Sequence, residues 1–167
     1  MRLVLMLTLA LAGAGCVTAG AQSLGPRTAS DLVTLLGGAP ATSGCSAAER
    51  PIDRRTLADG STGPFTVPAG KVLVLTGIEW SSAGTGTGRS VVVTVLHRTP
   101  LGAQTLFMSH ALSTPTGAGH AGAQSVIPHV VVKPGVPLCV TQYIDSQPAG
   151  GSLPGAVILH GFLADDL

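Results

Sequence analysis

The chain of 167 residues is long enough for one hydrophobic core, and its 9 Lys and Arg nearly balance its 8 Asp and Glu, which gives a formal net charge of +1. No basic stripe is present to hold phosphates, which excludes nucleic acid as a partner. No polybasic or amphipathic segment supports binding to a membrane surface. Only 10% of the residues are charged, whereas Gly and Pro number 23 and 12, a composition typical of strands and turns.

The first residues show the three parts of a secretory signal. Arg2 is the positive start, Leu3–Leu11 is the apolar run, and Ala19-Gly20-Ala21 is the small-residue cleavage site. The apolar run has about half of the ~20 residues that a membrane-spanning helix needs. We therefore predict that residues 1–21 are a signal peptide, that cleavage occurs between Ala21 and Gln22, and that the mature form has no membrane insertion.

A second cleavage position lies before Cys16. The residues "GAGC" resemble a bacterial lipoprotein box, but Gly13 stands where a larger aliphatic residue is usual. That cut would leave a lipoprotein anchored through Cys16, whereas the favoured cut gives a secreted or periplasmic protein. The absence of Asn and the presence of only two Lys in the chain indicate GC-rich codons, which favours a bacterial source.

The cysteine count after either cut predicts one disulfide. Cys45 and Cys139 form the even pair that is left in an exported chain, and such pairs are usually oxidised outside the cytoplasm. Two buried free thiols are the alternative interpretation.

Residues 22–63 are predicted to be an irregular lead-in. Within it, Ser30-Asp31, the apolar residues up to Leu36, and Gly37-Gly38 predict a short N-terminal helix of about two turns with a polar cap and a glycine stop. The next segment, "CSAAERPIDRRTLADG" at 45–60, holds six charges. It predicts a solvated loop tethered by Cys45, with a charged docking surface as the alternative.

Residues 64–167 are predicted to be an all-β domain, an antiparallel β-sandwich that is jelly-roll-like. Runs rich in β-branched residues and bounded by Gly, Pro, Ser and Thr predict about seven strands. These strands are Phe65–Val67, Lys71–Trp80, Ser90–Arg98, Thr105–Leu112, Ser125–Val132, Val136–Asp145 and Ala156–Leu163. The segments "FTVPAGKVLVLT" and "VVVKPGVPLCVT" align as two hairpins, and their turns resemble those of secreted jelly-roll domains.

The connections between the predicted strands favour one end of the domain for recognition. Three links are short, at 68–70, 99–104 and 133–135, and three are long and glycine-rich, at 81–89, 113–124 and 146–155. Antiparallel strands place every second connection at the same end, so the long loops should gather there. We predict a candidate recognition surface of Trp80, Arg89 and His120, although a lone Trp is more often a core residue.

The sequence contains no motif that selects a catalytic, cofactor-binding or metal-ligating residue. The five histidines are His97, His110, His120, His129 and His160. They are far apart in sequence with no acid nearby, unlike metal-site motifs. No Gly-x-Ser-x-Gly elbow is present, and "GTGTG" at 84–88 lacks the Lys and helix of a phosphate loop. Acidic and aromatic residues are too few for a typical glycosidase.

The combined interpretation is an exported bacterial module that acts by binding or assembly, without a cofactor. Its partner would be a protein, a glycan or a second copy of itself. The alternative is a small extracytoplasmic hydrolase that uses a histidine which the sequence does not identify. A pocket lined by both a histidine and a carboxylate would favour that alternative.

Overall fold

A computed structural model describes residues 25–37, 44–82, 89–112, 120–145, 147–148 and 155–166. They form a 3-10 turn at Ala29–Asp31 and ten strands: β1 Leu32–Gly37, β2 Arg50–Thr56, β3 Thr62–Pro64, β4 Lys71–Ser82, β5 Ser90–Thr99, β6 Gly102–Leu112, β7 His120–Val132, β8 Leu138–Ile144, β9 Gln147–Pro148 and β10 Ala156–Asp165. The prediction of an all-β protein is confirmed. The predicted signal peptide, with its cleavage position and Cys16, lies outside the described residues, as does most of each long loop.

The strands pair into one antiparallel sheet that is nearly closed into a barrel. Their order is β6-β5-β8-β2-β1-β10-β4-β7, with β3 beside β2 and β9 beside β8. The two terminal strands of this order, β6 and β7, approach each other. The number of strands is therefore ten rather than about seven, and a sandwich is not confirmed. The physical reason is that β2 pairs with both β1 and β8 and joins the two halves of the sheet.

The predicted N-terminal helix is wrong, because its apolar residues form β1. As a strand, this segment pairs with β10 on one side (Leu32↔Phe162) and with β2 on the other (Leu36↔Arg54). Val33 and Leu35 alternate into the interior, with 4% and 0% of their surface exposed. A helix of two turns is unstable alone, and pairing with two neighbours satisfies the same backbone groups within the sheet.

The lead-in is not irregular, since it contains β1, β2 and β3. The middle of the segment predicted as a charged loop, Arg50–Thr56, is β2. The predicted strand Phe65–Val67 is not a strand, although it directly follows β3. The other six predicted strands correspond to β4, β5, β6, β7, β8 and β10.

The interior of the barrel is filled by alternating aliphatic side chains. The largest fully buried ones are Leu35, Leu73, Leu75, Ile78, Leu159, Val91, Val93, Val95, Val132 and Val140. Full burial of one such side chain contributes about 1.5–3 kcal/mol. The interior changes character where β4 ends, because Ser82 and Gln142 are buried there and the Gln142 Nε2 donates to the Ser82 Oγ over 3.0 Å.

Strand register separates the connections into two ends. The strand ends that lead into the predicted long loops lie together, as the pairs Ser82↔His120 and Ser90↔Leu112 show. The short turns after β5 and β7 and before β4 lie at the opposite end, which we call the short-turn end; there Lys71 pairs with Asp165. No helix in the described part of the chain is long and apolar enough to cross a bilayer.

The predicted disulfide is confirmed, since Cys45 and Cys139 are bonded across a sequence separation of 94 residues. Cys139 lies on β8, and Cys45 precedes β2. The bond holds residues 44–49 against β8, where the Thr141 Oγ1 also donates to the Ala48 carbonyl oxygen over 3.3 Å. This segment is therefore fixed to the sheet at two points.

Candidate functional site

A cleft with a volume of about 400 Å³ opens near the short-turn end. We call it the short-turn cleft. Its lining is Ile52, Asp53, Pro64, Phe65, Thr66, Val67, Gly135, Val136, Pro137 and Leu138. Its volume falls within the range of small-molecule sites, about 300–1,000 Å³, and such sites are mostly apolar with few polar groups. The lining matches that description, because Asp53 is its single charged residue.

The cleft exists because β2 and β8 separate after a short pairing. Only Arg50↔Val140 and Pro51↔Cys139 are paired between these strands. Proline lacks the N–H that a ladder bond needs, and β2 then turns to pair with β3. The backbone N–H of Phe65 donates to the Asp53 carbonyl oxygen over 2.7 Å and holds the segment after β3 against β2.

The two walls of the cleft come from the two segments of similar sequence, but the predicted hairpins are wrong. Phe65–Val67 is not a strand, and β7 pairs with β4 whereas β8 pairs with β5 and β2. Phe65, Thr66 and Val67 precede the first Pro/Gly turn, and the opposite wall runs from Gly135, the last residue of the second turn, to Leu138. Gly135 has a φ of +73°, a left-handed conformation that favours glycine. The two segments thus meet in space as well as resembling each other in sequence, which the alignment alone did not predict.

Asp53 is a carboxylate without a partner in the cleft. Its Oδ1 is buried and has no hydrogen-bond partner among the described residues. The arginines that follow it donate elsewhere: the Arg54 Nη2 to the Thr62 carbonyl oxygen over 3.1 Å, and the Arg55 Nη2 to the Ser30 carbonyl oxygen over 2.8 Å. Among the described residues, Asp53 therefore forms no direct ion pair with the arginines that follow it on its own strand.

Of the predicted recognition residues, Trp80 lies inside the barrel. Only 3% of its surface is exposed, and its Nε1 donates to the Ser109 Oγ over 2.9 Å. Gly122 lies opposite on β7, where a Cβ atom would come within 2.6 Å of the Trp80 Nε1. A side chain at position 122 would thus collide with the indole.

The other two predicted recognition residues lie at the strand ends that lead into the long loops. His120 begins β7 and is buried, with 6% of its surface exposed. Arg89 is half-exposed and forms an ion pair with Asp145. Asp145 also accepts a hydrogen bond from the Ser90 backbone N–H over 2.8 Å. The structure does not bring Trp80, Arg89 and His120 together as one exposed surface.

A second, shallower depression on the sheet is lined by a histidine and a carboxylate, a combination that the sequence did not reveal. Its volume is about 260 Å³, and its lining includes Gly77, Glu79, Ser125 and His160. The His160 Nε2 lies 3.1 Å from the Glu79 Oε1. These residues come from β4, β7 and β10. Glu79 and His160 are 81 positions apart in the sequence, so no local motif indicates that they meet.

The His160 ring is not oriented to pair with Ser125. Ser125 and His160 both lie opposite Gly77, on the strands to either side of it. The ring atom near Gly77 is Cδ2, which lies 3.9 Å from the position of a Cβ there, and the Nε2 is engaged by Glu79. A ring nitrogen must contact the serine hydroxyl for nucleophilic catalysis, and this arrangement does not supply that contact.

The remaining histidines are separate from one another. The His97 Nε2 lies 2.7 Å from the Gln104 Oε1, and the ring of His129 packs edge-on against Phe162 at 6.5 Å between centroids. His110 is exposed on β6. The one three-residue group of ligand type in the described ranges is Cys45, Glu49 and Cys139, and the disulfide occupies both of its sulfur atoms.

Glu49 fastens the segment at 44–49 to β5 through a buried ion pair. Only 6% of its surface is exposed, and both of its oxygens contact the Arg98 guanidinium, with 3.0 Å between the Arg98 Nε and the Glu49 Oε2. Burial raises the pKa of the Glu49 carboxyl, but the hydrogen bonds from Arg98 and the Ser46 backbone N–H outweigh it and hold the pKa below its ordinary value of 4.5.

We expect Arg98→Ala to lower the free energy of unfolding by about 2 kcal/mol at pH 7, because it removes hydrogen bonds to a buried charged group from a partly exposed guanidinium. A depressed folded-state pKa stabilises the protein above the unfolded-state pKa, and this contribution is lost as the pH falls through the folded-state value. Urea unfolding should therefore show the difference from wild type shrinking below about pH 4.

Lys133→Ala is the matched control, because Lys133 pairs with Asp166 at 3.7 Å on the surface, where such pairs contribute about 0–1 kcal/mol. An Arg98→Ala deficit of the same size at pH 7 and pH 3 would contradict the assigned role of the Glu49 carboxylate.

Comparison of the sequence with models of known protein families and with curated proteins finds no match. The short-turn cleft is therefore interpreted from its own geometry.

Proposed function

We propose that this protein is an exported, non-catalytic binding module whose ligand occupies the short-turn cleft. The observation that carries the proposal is the cleft itself, an apolar concavity of about 400 Å³ with one carboxylate. Ligand sites commonly combine apolar walls with a few polar groups that orient the ligand. The disulfide supports export, because such bonds persist in oxidising compartments.

The walls of the cleft are firm enough to present a fixed shape. Phe65 and Val67 pack against the hydrophobic core of the barrel. The backbone N–H of Arg98 donates to the Pro137 carbonyl oxygen over 3.1 Å and fixes the opposite wall to β5. Preorganised walls lower the conformational entropy lost on binding. This favours the cleft over long glycine-rich loops as the place where a small ligand is held.

Thr66→Trp tests the proposal because Thr66 is an exposed residue of the lining. The larger side chain should occupy the mouth of the cleft without disturbing the core. We expect 1-octanol to bind the wild type and to bind Thr66→Trp at least about tenfold more weakly, as measured by isothermal titration calorimetry, because about 1.4 kcal/mol of lost apolar contact has that effect.

Leu101→Trp is the control variant. Leu101 is fully exposed in the turn between β5 and β6, outside the cleft lining. This variant adds the same indole elsewhere on the surface and should bind 1-octanol as the wild type does. Equal binding by the wild type and Thr66→Trp, or none by the wild type, would contradict the proposal.

Hydrolysis is the second candidate function, favoured by the depression that holds His160 and Glu79. A carboxylate-bound histidine can act as a general base. Release of p-nitrophenol from short p-nitrophenyl esters by the wild type, lost in His160→Gln, would support this function. Activity that survives in His160→Gln would reject this site. Binding of a protein or a glycan, and self-association, stay predictions.

A further inference from the structure

We propose that the ligand of the short-turn cleft is a small amphiphile with a protonated amine, which Asp53 binds while the apolar walls hold the hydrocarbon part. This inference rests on the proposed binding function. It adds the chemical class of the ligand, and it follows from the one charged group of the lining.

The first step is the state of the Asp53 carboxylate. One of its oxygens is buried without a hydrogen-bond partner among the residues described. A polar atom removed from water without a partner costs free energy, and a charged one costs more. Asp53 as a whole is half-buried and lines the cleft, so a cationic ligand in the cleft lies beside its charge, whereas the buried oxygen itself has no surface open to the cleft.

The second step is the commitment of the neighbouring cations. β2 carries three arginines, and each has a partner other than Asp53. The Arg54 Nη2 donates to the Thr62 Oγ1 over 3.1 Å, the Arg55 Nη2 to the Leu32 carbonyl oxygen over 3.0 Å, and the Arg50 Nη1 to the Gly155 carbonyl oxygen over 3.4 Å. None of these three hydrogen bonds goes to Asp53, so a direct contact between a cation and this carboxylate is left for the ligand to supply.

The third step is the rest of the lining, which selects an amphiphile over a simple cation. Ile52, Phe65, Val67, Val136 and Leu138 supply aliphatic and aromatic surface around the carboxylate. Apolar walls exclude water and strengthen a charge pair at their edge. A protonated amine offers three donors on a compact head, so a hydrocarbon amine matches both parts of the site.

The test compares three ligands with the same hydrocarbon chain, namely 1-octylamine, 1-octanol and octanoate, by isothermal titration calorimetry at pH 7 below their micelle concentrations. We expect the amine to bind the wild type about tenfold or more tightly than the alcohol, as suits a hydrogen bond to a charged group. Octanoate should bind more weakly than the alcohol, because its charge repels Asp53.

Asp53→Asn should bring the affinity for the amine down to that for the alcohol and leave the alcohol unchanged. Asp59→Asn is the control, since Asp59 is an exposed carboxylate outside the short-turn cleft, and it should retain the amine preference. The comparison of the three ligands on the wild type does not depend on whether Asp53→Asn folds.

The outcomes separate the two proposals. Equal binding of amine and alcohol would overturn the amine inference while leaving the binding function in place. Amine binding that is as tight in Asp53→Asn would overturn the role of Asp53. Failure of all three ligands to bind the wild type would overturn the binding function itself.

Discussion

Replacing both Cys45 and Cys139 by serine is expected to lower the free energy of unfolding by about 4 kcal/mol. The disulfide joins residues 94 positions apart, and a cross-link that closes a long loop removes much conformational entropy from the unfolded chain. Loss of the bond also releases the Cys45 end of residues 44–49 from β8. Urea unfolding of the double variant against the oxidised wild type measures the effect.

Wild-type protein treated with a reductant is the matched control, since it lacks the bond but keeps both sulfur atoms. Its unfolding midpoint should fall to near that of the double variant. Oxidised and reduced wild type with the same midpoint would contradict a stabilising role for the disulfide.

Trp80→Ala is expected to lower the free energy of unfolding by about 3–5 kcal/mol, the usual cost of removing a large buried aromatic side chain. The substitution empties the space beside Gly122 and leaves the Ser109 hydroxyl without its donor. Trp80→Phe keeps most of the ring but loses the hydrogen bond, so its cost should be clearly smaller. Thermal unfolding followed by circular dichroism distinguishes the two variants.

This prediction also decides between two interpretations of Trp80. A tryptophan in an exposed recognition surface would lose partner binding on substitution and leave stability nearly unchanged. Substitution of a buried tryptophan lowers the stability of the protein instead. A Trp80→Ala protein with the wild-type unfolding temperature would contradict the buried position.

The local sequence pattern predicts those strands in which runs of β-branched and apolar residues are long. The run "KVLVLTGIEW" has enough β-branched and apolar residues to specify β4. The Pro/Gly turns mark strand ends, but the hairpins predicted around them do not form. The sequence predicts β1 as a helix because its four apolar residues and Gly37 fit a helical period as well as a strand period. The partners that make it a strand lie on β10 and β2, and the Leu32↔Phe162 pair spans 130 positions.

The sites depend on contacts that local pattern does not contain. Asp53 lies in a segment crowded with charges, and nothing in that segment indicates that its arginines donate elsewhere. The two segments were visible as similar sequences, but their meeting around Asp53 depends on how β2 leaves β8. His160 and Glu79 are likewise joined only by the pairing of β10 with β4.

The most direct test of the short-turn cleft is to locate a bound ligand by NMR. A titration of ¹⁵N-labelled protein with 1-octylamine should shift, saturably, the backbone amides of residues 52–53, 65–67, 135–136 and 138. The same amides in Thr66→Trp should move little. Saturable shifts confined instead to the strand ends around Ser82, Leu112 and His120 would place recognition at the opposite end of the barrel and contradict the account.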